Sequence, residues 1–171
     1  YFDIRKDVLY CDGNTPERRS SRTVLNLLFH RLSTWLAPIL VFTMEEVWLE
    51  RNPDKERSIH LLDIPDTPSE WRNDKLAKKW AIVRSYRRLV TSALELQRAD
   101  KVIGSSLEAA PIIHITDKDA LEILKTVPFQ DICITSDIKL TDTNPPKGAY
   151  ISDEIIGAAV NFKKSVGSKC E

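Results

Sequence analysis

Between Thr15 and Trp48 the apolar side chains fall at helical spacing, and this stretch most restricts what the chain can fold into. Leu25, Leu28, Leu32, Trp35, Leu36 and Ile39 recur three and four residues apart, the pattern of a stripe on one helix face. Thr15 stands where a side chain caps a helix start. Pro16 follows at a first-turn position whose N–H would be unpaired in any case. Pro38 interrupts the stripe, removing a backbone bond and crowding the preceding turn, so a kink or a stop is expected there. A second helix should restart at once, because Thr43 to Glu46 has capping-box spacing and Phe42 stands where it could staple onto Val47. Arg18, Arg19 and Arg22 occupy the first turns of the first helix, the positive end of its dipole. Cations are disfavoured there unless an anion lies nearby.

The length of 171 residues suits one ordinary domain, or a domain with a small appendage. Lys and Arg total 25 against 25 Asp and Glu, so bulk charge does not draw this chain to nucleic acid and any RNA site must be a local face. Cys11, Cys133 and Cys170 are far apart and odd in number, which points to no disulfide framework and to a reducing, cytosolic setting. No run approaches the roughly 20 apolar residues of a membrane helix. The chain opens on Tyr1-Phe2-Asp3-Ile4, already apolar and without Met, as an excised piece of a longer protein would.

Tyr1 to Tyr10 is amphipathic and reads as the last turns of a truncated helix, with Asp12-Gly13-Asn14 turning the chain. Arg51 to Pro68 reads as a Pro-rich loop with one brief extended piece at His60-Leu61-Leu62. A long helix begins at Thr67, or at Asn73 if the first turn is separate. Its stripe of Leu76, Trp80, Val83, Arg87, Val90 and Leu94 is expected to lie on the central helix pair, and Gly104 to end it. The other face carries Lys75, Lys78, Lys79, Arg84, Arg88, Arg98 and Lys101. Beyond Pro111 come short extended runs at Ile112 to Ile115 and Ile132 to Ile134, a helix from Asp117 to Lys125, and a further strand within Ile155 to Phe162. The fold class read from this order is mainly α, a helical bundle over residues 1–110 followed by a small α/β unit over 111–171.

Catalysis would need a nucleophile beside a base, a Gly loop for phosphate, or clustered metal ligands, and none is present. His30, His60 and His114 stand alone, as structural histidines do. Glu45 and Glu46 have a dipole reason to sit in a first turn. Lys75, Lys78 and Lys79 read as a solvated face. Arg18, Arg19 and Arg22 differ: Arg binds phosphate with two parallel bonds and stacks on bases. Tyr1 and Tyr10 near Arg5 and Lys6, and Tyr86 beside Arg87, could stack unpaired bases.

Four segments together carry a resemblance: YFDIRKDVLY at 1–10, RRSSRTVL at 18–25, WLAPILVFTMEEVW at 35–48 and ALELQRADKVIGSSLEA at 93–109. They are similar to the carboxy-terminal region of isoleucyl-tRNA synthetases, which are class I aminoacyl-tRNA synthetases. The WLAPIL stretch alone also looks like the valyl and leucyl enzymes. The resemblance implies an anticodon-binding helical bundle that grips the anticodon stem-loop of isoleucine tRNA. Catalytic and editing domains would lie elsewhere in the same chain. ATP and magnesium belong to that full-length enzyme, a soluble and monomeric one, and the family's two ATP-holding signatures do not occur here. The expected tRNA-binding residues are Lys6, Tyr10, Arg18, Arg19 and Arg22, then Arg84 and Lys101. Cys170 in Lys169-Cys170-Glu171 resembles the first ligand of a zinc-binding tail, but one thiolate cannot make a four-coordinate site, so no bound zinc is expected here. The rival reading is a helical interaction or scaffold module whose arginines are merely solvated.

Overall fold

The computed structural model describes residues 2–11, 13–53 and 57–167. Two compact units divide between Arg72 and Asn73.

The first unit holds α1 (Lys6–Tyr10), α2 (Pro16–Leu36) and α3 (Val41–Arg51), with single 3₁₀ turns at Ile59–Leu61 and Ser69–Trp71. The Thr15 hydroxyl accepts the Arg18 N–H at 3.2 Å and Pro16 takes the first helical position, as the spacing predicts. Pro38 is a stop: α2 ends at Leu36, whose carbonyl accepts the N–H groups of Ile39 and Leu40 at 2.9 and 2.8 Å. The expected capping box is not formed. α3 begins at Val41, two residues before Thr43, and Leu40 precedes it without a side-chain cap. Phe42 is 90% exposed, so it staples nothing. His60 to Leu62 is likewise a 3₁₀ turn and its exit, where an extended piece is expected.

The apolar stripe of α2 is not the core face. Its buried residues are Ser21, Ser33 and Thr34, with Ala37 just beyond, while Leu32, Trp35, Leu36 and Ile39 are exposed. The difference arises because the core of this unit forms one face over. Ala37, Trp48 and Ile59 form the buried cluster, with Phe29, Met44 and Leu62 packed against it. The Phe29 ring stacks on Trp48 at 6.1 Å between centroids. Trp48 Nε1 donates to the Arg57 carbonyl at 3.2 Å, and Glu45 Oε2 accepts the Ser58 hydroxyl at 2.8 Å and the Ile59 N–H at 3.0 Å. The Arg31 guanidinium lies 4.4 Å from the centre of the Trp71 ring and donates to the Asp66 carbonyl at 3.1 Å. Segment 57–71 is thereby strapped to α2 and α3.

The second unit begins with α4 (Asp74–Ala99), which starts at the later of the two expected points: Asn73 Oδ1 accepts the Leu76 N–H at 2.9 Å. Its buried residues are Val83, Tyr86, Leu89, Val90, Ala93 and Leu94. Within the unit they pack on α5 (Lys118–Lys125), α6 (Phe129–Cys133) and β4 (Ala158–Asn161). Arg87, a charge inside the apolar stripe, donates from Nε to the Ile132 carbonyl at 2.9 Å and so satisfies the end of α6. Lys101, at φ 57°, ends the helix three residues before the expected Gly104. The Val102 N–H returns to the Gln97 carbonyl at 2.9 Å, closing a left-handed cap normally built on Gly.

The sheet runs β2-β1-β4-β3, with β1 (Ile112–Ile115) parallel to β2 (Lys139–Thr141) and antiparallel to β4, which pairs antiparallel with β3 (Tyr150–Ile151). β1, α5 and β4 fall where expected, with Asp117 capping α5 through the Asp119 and Ala120 N–H groups. Ile132-Cys133-Ile134 does not form the expected strand. Pro128 precedes a short helix, Ile134 takes the left-handed conformation, and the Thr135 N–H closes onto the Gln130 carbonyl at 3.1 Å.

Candidate nucleic-acid interface

α1 packs on α2 and carries Lys6 and Tyr10, while the first two turns of α2 carry Arg18, Arg19 and Arg22. Arg18 and Arg22 lie four residues apart and share a helix face, with Arg19 on the neighbouring one. Arg19 and Arg22 are exposed, and among the described residues neither guanidinium is held by an acid. Arg18 is half-buried. Glu17 is the acidic residue of the first turn, so the cations outnumber it where the dipole already leaves a positive end. Tyr10 is 83% exposed, leaving its ring free to stack. Lys6 stands apart: its ammonium is paired with Asp3 at 2.7 Å, and that bond and charge hold its pKa above the usual lysine value.

Arg84 and Lys101 belong to the second unit and are not brought together. About 15 helical residues, roughly 22 Å, separate Arg84 from the end of α4, and Lys101 lies beyond it. Two more cations of the same helix are engaged: Arg88 pairs with Glu154 at 3.6 Å, and Arg98 with Glu95 at 2.6 Å and the Ser106 hydroxyl at 2.7 Å. Lys75, Lys78 and Lys79 rim a shallow depression floored by Leu76, Ile82 and Ile123. Tyr86 is buried, which removes it as a stacking platform. Burial also raises its phenol pKa, with Asp117 adding to the shift. Tyr1 and Cys170 lie outside the described residues.

The histidines are structural. His30 meets Trp48 edge-on at 5.6 Å, a His60 ring nitrogen lies 3.1 Å from the Val41 carbonyl, and His114 Nδ1 lies 2.9 Å from the Thr143 carbonyl. Among the described residues, no group of three His, Cys, Asp or Glu could hold a metal. None of their helices is long and apolar enough to cross a membrane. Sequence reading missed Glu45 as the anchor of segment 57–59, since nothing in the local pattern pairs a residue with one 14 positions on.

Residues 1–113 match the family described as the anticodon-binding domain of tRNA ligase, and the chain belongs to that family. Its relatives include the isoleucine–tRNA ligase of Ruegeria pomeroyi, 57% identical over 171 residues, and those of Brucella abortus at 51% and Agrobacterium fabrum at 49%. The alignments cover 99 to 100% of this chain but 18% of each relative, so the chain spans less than a fifth of their length.

Proposed function

We infer that this chain is the anticodon-gripping part of an isoleucine–tRNA ligase, a cytoplasmic, monomeric enzyme that attaches isoleucine to its tRNA using ATP and magnesium. The chemistry belongs to catalytic and editing domains of the same polypeptide outside these residues. The chain's own role is to hold the anticodon stem-loop: guanidinium groups on phosphates fix its register, and stacking with base-edge hydrogen bonds separates one anticodon from another. The supporting observation is that Arg19 and Arg22, in the first turns of α2, are exposed and held by no acid among the described residues, with the open ring of Tyr10 on α1, which packs on α2. The described residues do not make a zinc site, and Cys170 alone would not complete one, so no step is assigned to zinc.

The test is an anisotropy titration of isoleucine tRNA with the full-length ligase across a salt series. Each single-strand phosphate neutralised contributes about 0.7 to the log–log salt slope. Arg19→Ala and Arg22→Ala should each weaken binding and flatten the slope by about that amount. Unchanged affinity and slope in the double variant would exclude the α2 start from the interface and return the scaffold reading.

A further inference from the structure

His114 stands on β1, is 7% exposed, and is engaged at one ring nitrogen. Its Nδ1 lies 2.9 Å from the Thr143 carbonyl, with the Thr143 hydroxyl at 3.4 Å. A carbonyl only accepts, so Nδ1 carries the proton and, in the neutral ring, Nε2 is bare. Among the described residues Nε2 is buried and has no hydrogen-bond partner. The Nδ1 bond ties β1 to the segment that joins β2 to β3, 29 positions further along the chain. The other hydrogen bonds of that segment, among the described residues, are local. Thr143 meets Thr141 Oγ1 through its N–H at 3.2 Å and its hydroxyl at 3.1 Å, and the Ala149 N–H returns to the Pro146 carbonyl at 3.2 Å.

We propose that His114 is an acid-sensitive latch: neutral, it holds residues 142–149 on the sheet, and protonated, it releases them. Imidazole is the side chain whose charge ordinarily changes between pH 5 and 8. A second proton on the closed latch would sit at Nε2, as a buried, charged N–H with nothing to accept it. In water the same ring takes up that proton without this cost, so acid favours release. The neighbouring elements do not offset the new charge. By strand register, β2 places Lys139 and Thr141 on the face of His114, β4 places Ala159 and Asn161 there, and β3 places Ile151. The charge in that set is a cation. Residues 142–149 add Asp142 and Lys147, both exposed. α5, which packs on β1 and β2, carries Lys118, Asp119, Glu122 and Lys125 after the capping Asp117, with Glu122 and Lys125 paired at 2.8 Å. None of these carboxylates is within hydrogen-bonding distance of Nε2. A solvated imidazole is half-protonated at about pH 6.5, so the released state should be about tenfold more populated, relative to the closed one, at pH 5.5 than at pH 7.5. This inference does not depend on how the chain binds RNA.

The experiment is hydrogen–deuterium exchange followed by mass spectrometry on the full-length ligase without tRNA, at pH 5.5 and pH 7.5, with labelling times scaled to the intrinsic pH dependence of amide exchange. A peptide containing 141–149 reports the latch, and one containing 158–161 reports the sheet. The expected result is an about tenfold faster scaled exchange of the first peptide at pH 5.5, with the second unchanged. His114→Asn keeps a side-chain N–H donor but takes up no proton, and should remove the pH dependence; His114→Gln is a second variant of the same kind. Equal scaled exchange at both pH values, loosening of 158–161 alongside, or the same rise in either variant overturns the proposal. The wild-type comparison decides the matter even if both variants fail to fold.

Discussion

Glu45 holds Ile59 across 14 positions of sequence: the Ile59 N–H donates to Glu45 Oε2 at 3.0 Å, and the same oxygen accepts the Ser58 hydroxyl at 2.8 Å. Ile59 is almost wholly buried in the cluster with Trp48, so this carboxylate decides where segment 57–62 meets α3. Glu45→Ala leaves the Ile59 N–H without its partner and should lower unfolding free energy by about 1–3 kcal/mol in denaturant titration. Glu45→Gln, which keeps an accepting oxygen, should lose less.

Gly157 is the tight point of the sheet. At φ 80° its carbonyl accepts both the N–H and the hydroxyl of Thr116 at 3.0 Å, and a Cβ there would overlap Thr116 Oγ1. Gly157→Ala adds left-handed strain of about 1–3 kcal/mol to that overlap, and should visibly lower the melting temperature followed by circular dichroism. A variant as stable as the parent would show that the Thr116 contact is not held in solution.

The two described cysteines should react oppositely. Cys133 is buried at the end of α6, and burial pushes its thiol up to about 12 despite the nearby Arg87 guanidinium. Cys11 is exposed. Maleimide at neutral pH should label Cys11 and leave Cys133 until the protein unfolds, because the thiolate is the nucleophile. The unfolded thiol loses its proton near 9 and the folded one near 12. This group's contribution to stability is therefore present below pH 9 and falls as pH rises from there towards 12, as denaturation at pH 8 and pH 10.5 would show.

Asp3 restrains one of the candidate RNA contacts. With Lys6 bonded to it at 2.7 Å and kept cationic above the usual lysine range, a phosphate must displace the carboxylate before Lys6 can reach it. Asp3→Asn should therefore tighten tRNA binding by the full-length ligase and steepen its salt slope, by about 0.7 if Lys6 gains one phosphate. The same variant combined with Lys6→Ala should show no such gain.

Local signals were legible where a single side chain or backbone restriction decides the outcome. Thr15 and Pro16 at the start of α2, Pro38 at its end, Asn73 before α4 and Asp117 before α5 all act within a few residues, and their elements begin or stop accordingly. What the pattern could not supply was the partner of a face. The α2 stripe was legible as a stripe, but Trp48 and Ile59 draw the core onto the side bearing Phe29 and Ser33. Ile132 to Ile134 misled because three apolar residues fit a strand or a helical turn equally, and Pro128 favours the turn. Left-handed Lys101 and Ile134 carry no glycine to announce them. The arginines of α2 were readable as misplaced charge, whereas the burial of Tyr86 and the pairing of Arg88 with Glu154 depend on residues brought from elsewhere in the chain.

The outer strands of the sheet are short, three residues in β2 and two in β3, and the stretch joining them contains Asn144-Pro145-Pro146. So few unsatisfied amides and carbonyls at either margin offer little template for a foreign strand, and proline donates nothing to a ladder. Both margins of the sheet are thus poor seats for fibril-like stacking.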